Sequence, residues 1–131
     1  MKIRLLKILF SIVFLSTSMG AGAVTVQTYL NWKQTIADPY QDNSNQTRLV
    51  LKAYLTGVAE GDYAAISYLD YKQNRDHVHK PYSCPPKGLA ADHKLAGKMI
   101  DAYIAAHPDL DKTVNVAILY VSQMAKTYPC K

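Results

Sequence analysis

Lys2, Arg4 and Lys7 stand ahead of an apolar run from Ile8 to Leu15 that is broken only by Ser11. Ser16, Thr17 and Ser18 close the run off, and Ala21-Gly22-Ala23 follows. A positive start, a short apolar stretch and a small-x-small site are the signature of a secretory leader removed from the finished chain. The apolar stretch falls well short of the ~20 residues that a bilayer-spanning helix takes, so an uncleaved anchor fits the pattern less well. No cysteine directly follows it to carry a lipid. The pattern predicts a signal peptide over 1–23 and a single domain over 24–131, exported to the periplasm and free of the membrane after cleavage. A domain of that size builds one small core, and it must fold in an oxidising compartment.

Export changes what the charge means. The full chain carries 15 basic and 10 acidic residues, net +5. Three of the basic residues belong to the leader, which leaves twelve against ten, or +2. That balance, with no run of Lys or Arg, argues against a nucleic-acid partner.

Both cysteines, Cys84 and Cys130, lie in the part that remains. The compartment predicts that they pair, closing a loop of 47 residues counting both ends. The chain-entropy argument gives such a loop about 4 kcal/mol. The alternative is two free thiols, but no C-x-x-C spacing supplies a redox context.

The periodicity predicts an all-α, roughly four-helix, bundle-like domain. Val26, Tyr29, Leu30, Lys33 and Ile36 place a first helix over 26–37, which Asp38-Pro39 ends. Leu51, Tyr54, Leu55, Val58, Ala59, Ala65, Ile66 and Leu69 place a second over about 46–71. Gly57 and Gly61 interrupt that helix, and each glycine costs ~1 kcal/mol relative to alanine; either another backbone packs closely there or the helix kinks. A long polar connection over 72–87 follows, stiffened by Pro81, Pro85 and Pro86. Leu95, Met99, Ile100, Tyr103 and Ile104 predict a third helix over about 91–106. Val114, Ala117, Ile118, Val121, Ala125 and Tyr128 predict a fourth over about 110–127, with Asp109 or Asp111 as its cap.

Tests for chemistry return little. His77-x-His79 beside Asp76 offers two metal ligands but no third at suitable spacing, and Cys84 is claimed by the disulfide. Glu60 and Asp62 are two apart on a helix and do not face each other. No nucleophile elbow, phosphate loop or His-Glu-x-x-His occurs. The expectation is a chain with no catalytic site, no cofactor and no metal. Ten tyrosines are many for this length. Tyr54 and Tyr103 fit the core. Tyr68, Tyr71 and Tyr82, with Lys72, Arg75 and Lys80, offer either amphipathic packing or a recognition surface, because Tyr and Arg dominate interface hot spots.

Four stretches in order carry a resemblance: Tyr54-Leu55-Thr56-Gly57-Val58-Ala59-Glu60-Gly61, Tyr82-Ser83-Cys84-Pro85-Pro86, Tyr103-Ile104-Ala105-Ala106-His107-Pro108 and Tyr128-Pro129-Cys130. Together they resemble the Rap/Tai immunity family of type VI secretion, over about Thr47 to Cys130. The chain departs from that pattern in having no early cysteine after the leader. The resemblance implies a helical, enzymatically inert periplasmic protein, in some members a homodimer, that covers the cleft of a toxic effector such as a peptidoglycan-cleaving amidase. It also implies Cys84 and Cys130 as the disulfide and Gly57 and Gly61 as packing positions. It does not locate the effector-binding residues. For those, the 72–87 loop is the candidate, since a disulfide at one end and prolines within it lower the ordering cost of binding. The contrasting expectation is a chaperone-like envelope stress protein with no dedicated effector.

Overall fold

The structure, a computed structural model, describes residues 23–131, so the predicted leader lies outside the described residues but for Ala23. Four helices follow one another: α1 (Val26–Ala37), α2 (Ser44–Asp76), α3 (His93–Ala106) and α4 (Val116–Thr127). No strand occurs among the described residues, and one disulfide joins Cys84 to Cys130. The long α2 is the spine, with α1, α3 and α4 packed against it and α4 also against α3.

Local chemistry sets each helix start. Thr25 caps α1, its hydroxyl accepting from the Thr28 N–H at 3.3 Å. Asp92 caps α3 by accepting from the N–H groups of Lys94 and Leu95, both at 2.9 Å. Those bonds, that from Leu95 first, hold its carboxyl below the usual carboxylate range. Such caps satisfy N–H groups that a helix start leaves without partners.

The fourth helix departs from the sequence reading in both start and phase. It begins at Val116, and its cap is Asn115, which accepts from the Ala117 N–H at 2.8 Å. Asp111, predicted as a cap, instead accepts from the N–H and hydroxyl of Thr113, both at 2.8 Å, and holds a turn. The residues before Val116 are not helical because their backbone is used elsewhere. The Val26 N–H donates to the Val114 carbonyl at 2.9 Å, and the Val116 N–H donates to the Val24 carbonyl at 2.9 Å. This short antiparallel bridge, centred on Thr25 and Asn115, staples the entry of α1 to the entry of α4. The buried face of α4 is then Val116, Leu119, Tyr120 and Met124, while Ile118, expected inside, is 60% exposed.

The second helix runs unbroken through both glycines. A Cβ at Gly57 or Gly61 would meet nothing within 4 Å, so the expected packing of a second backbone there is absent. Both glycines lie on the outer face, and Ala65, expected in the buried stripe, is exposed as well. The close approach is on α3, where a Cβ at Gly97 would sit 3.5 Å from Leu55 Cδ1. The helix also continues past Tyr71 to Asp76, because 72–76 holds no residue that stops it. His77 ends it in the left-handed conformation, at φ 59°. The connection predicted over 72–87 therefore begins as helix, and Lys72 and Arg75 are helical residues.

Val26, Tyr29, Leu51, Leu55, Ala96, Ile100, Tyr120 and Met124 are among the side chains that form one core between the four helices. Trp32 and Tyr54 meet edge to face across its margin, with ring centroids 6.1 Å apart. A polar clamp joins α1 to α3: Tyr29 donates its hydroxyl to Asp101 at 2.7 Å, and the Lys33 ammonium donates to the other oxygen at 2.8 Å. Burial first, and then the Asp101 carboxylate, push the Tyr29 phenol far above its ordinary range.

Candidate protein-binding surface

The two ends of α2 are used differently. Leu51, Leu55, Ala59, Asp62 and Ile66 are its buried residues, and none beyond Ile66 is buried. Its last ten residues continue about 15 Å past that point, and they carry Tyr68, Tyr71, Lys72 and Arg75. Tyr68 is 58% exposed and Tyr71 57%. Their spacing of three, with Arg75 four further on, puts Tyr68, Tyr71 and Arg75 on neighbouring turns of one face.

Local contacts organise this face. The Lys72 ammonium lies 5.9 Å from the centroid of the Tyr68 ring, a cation–π pairing worth about 0.5–1 kcal/mol at an exposed site. Arg75 donates to the Tyr71 hydroxyl at 3.5 Å, at the limit of a hydrogen bond. At the helix end Asp76 accepts from the N–H groups of Val78 at 3.1 Å and His79 at 3.5 Å. Its other oxygen meets the His79 ring at 3.0 Å. These partners, Val78 N–H foremost, hold the Asp76 carboxyl below its usual range. His79 is thus engaged with Asp76, and no group of three or more His, Cys, Asp or Glu that could hold a metal occurs among the described residues. Val78 is 75% exposed at the tip, and Lys80 beyond it is also exposed.

Tyr82, grouped with these residues in the sequence reading, points another way. Its hydroxyl donates to Asp62 Oδ1 at 2.6 Å, tying the connection back onto α2. Ser83 beside it is fully buried. Cys84 donates its N–H to the Tyr128 carbonyl at 2.7 Å, alongside the disulfide to Cys130. The connection is therefore anchored at 81–84 and presents its 77–80 stretch beside the α2 tip. Tyr68, Tyr71 and Arg75 form one exposed face, with Lys72 half-buried beside Tyr68 and Lys80 beyond the tip, and Tyr82 is its anchor.

That anchor rests on a polar cluster missed by sequence reasoning. Asp62 is only 5% exposed, and burial raises its carboxyl above the usual range, partly offset by the Tyr82 hydrogen bond. Asp62 Oδ2, Ser83 Oγ and the Tyr120 hydroxyl have no hydrogen-bond partner among the described residues. Burial, with the Asp62 charge next, pushes the Tyr120 phenol up to about 12. A signal for Asp62 was present: it falls in phase with Leu51, Leu55, Ala59 and Ile66 on the buried stripe of α2.

Among the described residues no helix is long and apolar enough to cross a membrane. No protein-family model, curated protein or solved structure matches the chain.

Proposed function

We propose that this chain is a periplasmic immunity-type binding protein that inhibits a type VI secretion effector, a peptidoglycan-cleaving amidase in the reading its sequence resemblance favours. The observation that carries the proposal is the exposed tyrosine-and-cation face on the C-terminal end of α2. Aromatic side chains presented with basic groups on a regular helix form a recognition surface whose ordering cost is already met. Tyr82, Asp62 and the disulfide hold the adjoining 77–80 segment against that helix and extend the surface. The mechanism is steric: Tyr68, Tyr71 and Val78 fill apolar positions at the effector's cleft, while Lys72, Arg75 and Lys80 meet acidic groups at its rim. No catalytic step is assigned to this chain.

The test is capture of the tagged protein's partners from periplasmic extract containing the secretion-system effectors. The expected result is one stoichiometric peptidoglycan hydrolase whose activity is lost in the complex. Tyr71→Ala combined with Arg75→Glu should weaken that complex by more than about tenfold, as hot-spot losses do. An unchanged affinity would move the interface elsewhere. Binding of many unfolded clients at low pH, with no single partner, would replace the proposal by the chaperone-like reading.

A further inference from the structure

At the opposite end of α2, away from the tyrosine face, a concave site opens on the edge of the core. It is a cavity of about 470 Å³ where α1, α2 and the start of α3 meet. Ile36 and Ala37 of α1 and Leu51 and Leu55 of α2 line its apolar part. Every charged or titratable side chain lining it is a base: Lys33, Arg48, Lys52 and His93. Lys33 is engaged by Asp101 at 2.8 Å. Arg48 and Lys52, one helical turn apart, have no carboxylate partner among the described residues.

We propose that this cavity binds a free, small aliphatic carboxylate of the fatty-acid type. The apolar body lies on Ile36, Ala37, Leu51 and Leu55, and the carboxylate sits between Arg48 and Lys52. Three features select that chemistry. The volume falls in the range of about 300–1,000 Å³ typical of small-molecule sites. The apolar part of the lining is wholly aliphatic, with no Phe, Tyr or Trp, and its one planar ring is the polar imidazole of His93, so the apolar body is aliphatic. A planar guanidinium pairs a carboxylate through two parallel hydrogen bonds, and the ammonium four residues along adds a second positive charge on the same face. The site is independent of the proposed effector interface, since Arg48 and Arg75 are about 40 Å apart along the helix at 1.5 Å per residue.

Decanoate is the probe, titrated into the disulfide-bonded protein below its micelle concentration and followed by backbone amide chemical shifts. Saturable one-to-one binding is expected, with shifts gathered at residues 36–37, 48–55 and 93. Decanol, which keeps the apolar chain and loses the charge, should bind at least about tenfold more weakly. Arg48→Glu combined with Lys52→Glu should cost decanoate a similar factor while leaving the thermal melt and the effector complex unchanged. Ala37→Trp, which places an indole in the cavity, should abolish binding. No saturable binding below the micelle concentration would overturn the proposal. So would equal affinity for decanol and decanoate, which would mean only an apolar patch, or shifts gathered at another place. Protection of this cavity by a bound effector, with no response to decanoate, would also overturn it and make the site part of a protein interface.

Discussion

The two halves of α2 show one helix held in place by two kinds of force. From Leu51 to Ile66 the helix is fixed by apolar burial against α1, α3 and α4. Beyond Ile66 none of its residues is fully buried and Leu69, Lys72 and Gln73 are half-buried, while its neighbourhood is tied by one disulfide, one phenol–carboxylate hydrogen bond and the 2.7 Å bond from Cys84 to the Tyr128 carbonyl. Apolar burial is non-directional and scales with area, so it secures the first half as a unit. Covalent and polar ties act at points, so they hold the second half's connection without covering the face of the helix. That leaves tyrosines and cations exposed on a scaffold that is nonetheless ordered, which is what a binding surface requires.

The comparison predicts a graded set of responses. Ile100→Ala opens a cavity at the centre of the packed half and should cost about 2–5 kcal/mol, seen as a lower urea midpoint. Replacing Cys84 and Cys130 together by serine should cost about 2–4 kcal/mol. It should also speed amide exchange selectively over residues 77–92, whereas the Ile100 variant should speed exchange throughout the helices. Equal exchange profiles for the two variants would erase the distinction between the halves.

Tyr82→Phe removes the hydrogen bond to Asp62 and leaves a buried carboxylate with fewer partners, at a cost of about 1–3 kcal/mol. Asp62→Asn should act in the opposite direction at neutral pH. The folded-state pKa of Asp62 is raised by burial, so the native state holds its proton more tightly than the unfolded chain does. Stability from this group is therefore present below the unfolded value and falls as pH rises through the folded value. The amide keeps an oxygen to accept from Tyr82 and carries no charge, so Asp62→Asn should be the more stable protein at pH 7. The advantage should shrink as pH falls through the raised pKa, as read from melting temperature against pH. The smallest effect on stability belongs to Tyr71→Ala with Arg75→Glu, within about 0.5 kcal/mol, since both side chains are exposed. A large destabilisation there would mean that the tyrosine face is structural.

Much of the helical frame was legible because its signals are local. The bounds of α1 follow from a hydrophobic stripe and Asp38-Pro39, and α3 ends at Ala106, where its stripe predicts. The phase of α4 was not legible, since Ala117, Ile118, Val121 and Ala125 form as regular a stripe as the one that is buried. The bridge between Thr25 and Asn115 fixes where α4 starts, and the packing of α4 against α2 and α3 goes with the choice between the two stripes. Gly57 and Gly61 misled for a related reason: a glycine in a helix marks either a close approach or an outward face, and the neighbour that decides lies far away in sequence. Asp62 enters the sequence reading only as a possible partner of Glu60, though its position on the stripe placed it inside.

What the sequence by itself determined is the class of the fold, through helical periodicity, breakers at helix ends and a lone pair of cysteines. These depend on residues close together in the chain, or on two cysteines that have only each other as a disulfide partner within the chain. The tertiary structure decided which face of α4 turns inward, that Tyr82 serves as an anchor, that Asp62, Ser83 and Tyr120 are buried, and that basic groups from three helices ring one apolar cavity. Each of these depends on contacts between distant segments, and periodicity within one helix carries no record of what the other helices bring against it.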